Sequence, residues 1–188
     1  MEPPGQPSTS TGAFVRSDKQ PQSADPSSSR STLPHIRPSD PDDIPICVSL
    51  AEGTQVFTPP EIIGLAEDLE AIHMGLEPDD RVLTCEQGGR VAGFAHYGPA
   101  DIAEGTWYLY WIAVRHESHG QGLGQSLLQR VEQEARDMEG RLLLIETSSL
   151  PRYEATRKFY LRGGYRQECV IQNYYRDGDH KVIFSKRL

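Results

Sequence analysis

The sequence predicts an α/β domain built on a mixed, mostly antiparallel sheet, with one parallel βαβ unit and flanking helices. Three observations carry this expectation. Bulky apolar runs of strand length recur between turns rich in glycine and aspartate. Two longer stretches place apolar residues at helical spacing. Finally, the run Thr106–Val114, the helical stretch after it and the run 141–147 follow one another with short joins. Strand, helix and strand connected in this way make a crossover unit whose two strands lie parallel. At 188 residues the chain is long enough for one domain with a real core.

Composition narrows the class. A formal net charge of −8 weighs against a nucleic-acid partner, which usually meets a basic face. No apolar run approaches the roughly 18–20 residues of a membrane helix. The N-terminus lacks the apolar core of a secretory signal. Cys47, Cys85 and Cys169 are odd in number and far apart, without the paired spacing of a zinc site. They read as reduced thiols serving as small buried hydrophobes. The expectation is a cytoplasmic protein with no metal, no membrane and no nucleic-acid partner.

Taken in order, residues 1–33 are rich in Pro, Ser, Thr, Gln and Gly. Such a segment buries too little apolar surface to offset its ordering entropy, so it reads as a disordered tail. Its charges cancel, and the whole excess of acid belongs to a domain over residues 34–188. Residues 33–38 read as a short edge strand bounded by prolines. Thr58-Pro59-Pro60-Glu61 reads as a helix start, with a threonine cap, prolines in the first turn and an early acid. Ile62, Leu65, Ala66, Leu69 and Ile72 continue at helical spacing until Gly75, and His73 near the end reads as a dipole or solvent residue. Residues 81–86 and 90–97 read as a hairpin around Gln87-Gly88-Gly89. Thr106–Val114 is nearly continuous in bulky residues, which suggests a central strand covered on both faces.

Leu123, Leu127, Val131, Ala135 and Met138 form one helical stripe, with Glu132, Glu134, Arg136 and Asp137 largely off it. Gly140 ends that helix. Residues 141–147 form the next strand and residues 153–162 a second helix, stopped by Gly163-Gly164. Residues 165–174 and 180–187 read as a closing antiparallel hairpin around Arg176-Asp177-Gly178-Asp179.

The chemistry concentrates where Thr106–Val114 meets the following helix. Gly120, Gly122 and Gly124 sit at the join. Glycines let backbone N–H groups approach a ligand, and a helix start adds unpaired N–H groups and a positive dipole end. Together they make an anion cradle, most naturally for phosphate. A dinucleotide loop would need G-x-G-x-x-G directly after the strand; Glu146 stands where its acid would be, but the glycines here are spaced G-x-G-x-G and start late. A Walker A loop is excluded, because no G-K-[ST] follows. His116 and His119 could suggest a metal, yet they stand at i, i+3 rather than the i, i+4 of H-E-x-x-H, with no obvious third ligand.

Val114-Arg115-His116-Glu117-Ser118-His119-Gly120-Gln121-Gly122-Leu123-Gly124 resembles the acyl-CoA-binding motif of the GNAT superfamily of N-acyltransferases, V-x-P-x-x-[QR]-x-x-G-[LIV]-[GA]. A second block, Tyr153-Glu154-Ala155-Thr156-Arg157-Lys158-Phe159-Tyr160-Leu161-Arg162-Gly163-Gly164-Tyr165, is similar to the family's N-x-x-A-x-x-F-Y-x-x-x-G-[FY]. The resemblance spans about residues 35–188. His119 replaces the Gln or Arg beside the pyrophosphate, Tyr153 the common Asn, and Thr156 the Ala.

The resemblance implies transfer of an acetyl group from acetyl-CoA to a primary amine by direct attack in a ternary complex. Backbone groups of Ile112, Ala113 and Val114 would hold the pantetheine arm and polarise the thioester carbonyl. N–H groups of His119, Gly120, Gln121, Gly122, Leu123, Gly124 and Gln125 would hold the pyrophosphate, with Tyr153 nearby. Tyr160 matches the family tyrosine that protonates the leaving thiolate. Glu146, at a strand end beside the cleft, is the expected general base; Tyr108 and Tyr110 could carry a water chain. The implied acceptor is a small-molecule amine or amino acid. A peptide or protein N-terminus is the alternative, because residues 172–179 resemble the Tyr-Tyr-x-x-Gly-x-Asp turn of the branch acetylating protein N-termini. A non-catalytic acyl-CoA sensor would keep the cradle and lose the proton donor. Either a monomer or a homodimer is compatible.

Overall fold

Seven strands form a single sheet in the order β1-β2-β3-β4-β5-β7-β6. They are β1 (His35–Pro38), β2 (Arg81–Gln87), β3 (Arg90–Pro99), β4 (Thr106–Val114), β5 (Leu142–Ser148), β6 (Arg166–Arg176) and β7 (Asp179–Arg187). The helices are α1 (Ile44–Gly53), α2 (Pro59–His73), α3 (Leu123–Asp137) and α4 (Glu154–Arg162). This computed structural model describes residues 34–188; the tail expected to be disordered lies outside the described residues. β4 and β5 run parallel and every other neighbouring pair is antiparallel. The sheet is therefore mixed as expected, with α3 crossing between β4 and β5.

Helices cover both faces. On one face Leu123, Leu127, Val131 and Ala135 of α3 pack with Ala95 and Tyr97 of β3, Trp107 and Leu109 of β4, and Leu143 and Ile145 of β5. On the other, Leu50 and Ala51 of α1 and Leu65 and Leu69 of α2 pack on Phe94 and Ala113. The alternation of β3 assigns each side chain to a face: Phe94 lies under α1 and α2, Ala95 and Tyr97 under α3. Thr58 and Glu61 form the expected capping box, with the Thr58 N–H donating to the Glu61 carboxylate at 2.7 Å.

Two irregularities shape the middle of the sheet. His96 pairs with Trp111 but Tyr97 pairs with Leu109, so Tyr110 is an extra residue in β4. This bulge resets the alternation: Leu109 belongs to the α3 face while Trp111 packs toward α1 and α2. In addition, β4 pairs with β5 only from Thr106 to Leu109, opposite Leu142 to Ile145. Beyond those residues the two strands part, and a cleft opens between them.

Cys47 and Cys85 are buried as expected, and burial pushes their thiols up to about 12 and about 11. Other expectations are corrected. Cys169 is exposed rather than buried, because it lies on β6, an edge strand whose residues are all exposed. Glu132 is buried at 3 % exposure rather than lying off the packed face. It accepts hydrogen bonds from Lys186 at 2.8 Å and from the Tyr165 hydroxyl at 3.0 Å, which makes burial of its charge tolerable. His73 is a tie rather than a solvent residue: Nε2 lies 2.9 Å from the Ser39 hydroxyl and Nδ1 2.7 Å from the Leu69 carbonyl.

Candidate active site

The glycine-bearing loop turns from β4 into α3 through one 3-10 turn, His116–Ser118. Gly120 and Gly122 adopt φ of +76° and +84°, the left-handed region that a Cβ disfavours. Gly122 is the N-cap of α3, and no side chain caps the helix. Accordingly, the N–H groups from Gly120 to Gln125 have no protein acceptor among the described residues, while that of Ser126 already bonds Gly122. The His119 N–H differs from the expectation: it donates to the His116 carbonyl at 3.0 Å. The row of free N–H groups therefore begins at Gly120.

Polar side chains hold this loop from below. Gln87, at the β2–β3 turn, donates to the Gln121 side chain at 2.6 Å and accepts from the Ser118 hydroxyl at 2.8 Å. The His119 ring is turned to the Val114 carbonyl at 2.9 Å, and its centroid stands 5.2 Å from that of His116. Gly124 and Leu123 lie in the first turn of α3. A Cβ on Gly124 would lie 3.5 Å from the Phe159 ring of α4, an ordinary van der Waals contact.

The cleft between the parted strands leads into a cavity of about 840 Å³. Ile112 and Tyr110 of β4, Glu146 and Ser148 of β5, and Tyr153 and Tyr160 of the α4 region line it. Ile112, Ala113 and Val114 pair with β3 on one edge and have no β5 partner on the other. Tyr160 is 5 % exposed and packs against the rings of Phe159, Tyr165 and Phe184. Burial alone pushes its hydroxyl well above the usual tyrosine range.

Glu146 faces the same cavity, but the Lys181 ammonium sits on its carboxylate. Lys181 reaches from β7, where it pairs with Ser148, and stands 3.7 Å from the Tyr174 ring centroid. Arg157 donates to the carbonyls of Ser148 and Leu150 at 2.7 and 3.0 Å. Tyr153 is buried and its hydroxyl donates to the Val56 carbonyl at 3.2 Å. It fastens the α1–α2 connection over the cavity, and burial pushes its hydroxyl up to about 12.

Sequence reasoning missed the wall made by that connection. Phe57 packs on Trp111 at 4.7 Å between ring centroids and on Tyr153 at 6.5 Å, and Glu61 and Asp101 line the same cavity. No local pattern marks these residues; only the bulge at Tyr110, which turns Trp111 to this face, brings them together. Among the described residues no group of three or more His, Cys, Asp or Glu side chains is placed to hold a metal. No described helix is long and apolar enough to cross a membrane.

A row of unpaired N–H groups at a helix start, a half-open parallel strand pair and a buried tyrosine lining a cavity are the features of this region. The profile of the acetyltransferase (GNAT) family matches residues 52–165, and the chain belongs to that family. It is 30% identical over 105 residues to a Methanocaldococcus jannaschii protein described as an uncharacterized N-acetyltransferase, a match covering 54% of this chain and 63% of that relative. A crystal structure from Desulfovibrio desulfuricans, assigned to the GNAT family of acetyltransferases, shares 36% identity at a TM-score of 0.79, covering 82% of this chain and 99% of that one. The yncA protein of Salmonella typhimurium, solved with acetyl-CoA, superposes at a TM-score of 0.65 over 83% of this chain and 94% of its own; at 20% identity this likeness speaks for the fold.

Proposed function

We propose that the protein transfers an acetyl group from acetyl-CoA to a primary amine of a small molecule or amino acid, by direct attack within a ternary complex. The observation that carries this reading is a sequence of three features: β4 leaves its β5 partner after Leu109, the loop that follows β4 carries the free N–H groups of Gly120 to Gln125, and the cavity beside the parted strands is lined by Tyr160. Donors aimed at fixed charge at one end and a protonated phenol at the other match the two ends of a thioester substrate.

In this reading the N–H groups from Gly120 to Gln125 take the pyrophosphate, and the unpaired edge of Ile112, Ala113 and Val114 takes the pantetheine arm. His119 supports the cradle by holding the Val114 carbonyl. The amine nitrogen attacks the thioester carbon, the C–S bond breaks, and Tyr160 donates its proton to the departing thiolate. Glu146 collects the amine proton through water; its ion pair with Lys181 must loosen for it to do so. Tyr108 and Tyr110 stack at 5.9 Å between centroids along the wall and can order that water.

Tyr175 and Arg176 at the β6–β7 turn also line the cavity, which supports a peptide N-terminus as the second reading. The test is a turnover screen reading free thiol across amines, amino acids and N-terminal peptides, with wild type and Tyr160→Phe. We expect Tyr160→Phe to lower kcat about 10²–10³-fold while CoA still binds. Unchanged turnover with every accepted amine would remove Tyr160 from its role. CoA binding by wild type without any turnover would favour a sensor instead.

A further inference from the structure

We infer that Asp179 seats the acceptor's ammonium group, so that the protein selects amines that arrive protonated. This inference rests on the N-acetyltransferase reading and assigns the acceptor side of that same cavity. Four carboxylates line the cavity: Glu61, Asp101, Glu146 and Asp179. Three of them are committed or open to water. Glu61 caps α2, accepting the Thr58 N–H and hydroxyl at 2.7 and 2.6 Å. Glu146 carries the Lys181 ammonium. Asp101 is exposed in the β3–β4 loop, where solvent screens its charge.

Asp179 differs from all three. Its side chain is 7 % exposed. Oδ1 accepts the Ser148 hydroxyl, while Oδ2 has no hydrogen-bond donor among the described residues. Arg176 Nε stands 3.7 Å from Oδ2, beyond hydrogen-bond length, on a side chain 60 % exposed. A buried carboxylate oxygen without a donor calls for one, and an ammonium offers three N–H groups together with the opposite charge. The residue is also held still. Gly178 turns at φ +78° and donates its N–H to Asn173 Oδ1 at 2.9 Å. The Asn173 N–H donates to His180 Nδ1 at 2.9 Å, and the His180 N–H to Ser149 Oγ at 2.9 Å. The tip of the β6–β7 hairpin is thus tied to itself and to the end of β5.

Its place suits the reaction. Glu146 and Ser148 lie two residues apart on β5, so both point to one face about 7 Å from each other. Asp179, bonded to Ser148, therefore stands roughly one such strand step from the base of the proposed function. Burial pushes the Tyr175 hydroxyl up, Lys181 opposes this, and Glu146 and Asp179 push it further, so both carboxylates act on that one hydroxyl. An amine seated at Asp179 passes its proton to Glu146 through water before it attacks. Its nitrogen is positive on arrival and again once it has bonded to the thioester carbon, and a fixed negative oxygen favours both states.

The test compares two amines of similar shape at about pH 7.5: ethylamine, which is protonated there like a lysine, and trifluoroethylamine, which is neutral. Each is titrated into the enzyme–CoA complex, followed by nuclear magnetic resonance, and the reading is the ratio of their affinities within each protein. We expect wild type to favour ethylamine about tenfold or more, and the ratio to fall toward one in Asp179→Asn. The amide keeps the size and still accepts from Ser148; Asp179→Ser takes its place if that chain does not fold. Asp101→Asn keeps the wild-type ratio. A purely structural role for Asp179 weakens both amines alike and leaves the ratio unchanged, which overturns the inference. So does a wild-type ratio near one, or a ratio lost equally in Asp101→Asn. Thiol release from acetyl-CoA, measured in parallel, separates the two readings. Acetylation without the preference leaves acetyl transfer intact and removes Asp179 from its role. A preference that Asp179→Asn loses, without acetylation of any amine, keeps Asp179 and removes the transferase reading.

Discussion

Gly122 stands at φ +84° with nothing within 4 Å of where a Cβ would lie. A side chain there meets no steric neighbour; the whole cost is conformational, about 1–2 kcal/mol. Gly122 is also the N-cap of α3, and in the proposed function the free N–H groups beside it take the pyrophosphate. We expect Gly122→Ala to weaken CoA binding about tenfold with little change in unfolding temperature, measured by calorimetric titration. Undiminished affinity would show that the loop tolerates a different cap. Gly120 and Gly122 were legible as turn residues because glycine adopts a positive φ at the least cost. The fate of the His119 N–H was not, since it depends on whether the preceding residues close a 3-10 turn. Nor was the Lys181 partner of Glu146 legible: the two meet because β7 lies beside β5, with Lys181 opposite Ser148, two residues along from Glu146.

Among the elements, α3 does double duty. Its apolar stripe fills the core, and its N-terminus supplies the cradle. What fixes its position is Glu132, whose carboxylate receives Lys186 from β7 and Tyr165 from the turn after α4. Removing one partner of a pair this buried leaves an uncompensated charge. Lys186 keeps partial access to water, so we expect Glu132→Gln to cost about 2–3 kcal/mol, at the low end for a broken buried pair. Chemical denaturation measures this, and Glu132→Gln/Lys186→Met should recover part of the loss. Most elements were legible from periodicity, because α2 and α3 bury one stripe each. The β4 bulge was not, since every residue from Trp107 to Val114 is apolar or aromatic and no break in alternation marks it. The exposure of β6 escaped for a related reason: Val170 and Ile171 have strand propensity wherever a strand lies, and propensity does not say that nothing covers it.

At the scale of the whole molecule, burial of tyrosine sets an alkaline limit. Tyr97, Tyr160 and Tyr165 all hold their protons well above the ordinary value of 10.0, chiefly through desolvation. Unfolded, each would release its proton near 10. Their contribution is therefore complete below that pH and is lost as pH rises above it. We expect far-UV circular dichroism to collapse above about pH 10 in the same transition that releases the buried tyrosinates. Gradual appearance of those tyrosinates in a chain that keeps its dichroism would contradict this. The cavity itself, with walls from Thr54 to Asp179, could not be read from any one segment. The sheet order carries one more consequence. β7 lies between β5 and β6, yet it is synthesised after both. As the chain emerges from the ribosome, β5 offers a bare edge and β6 has no neighbour until Asp179–Arg187 arrives. The sheet is thus completed last, by a strand that slots in like a keystone. A nascent chain halted shortly before it would hold a finished glycine cradle beside an unfinished wall, a state in which chaperones would find their target.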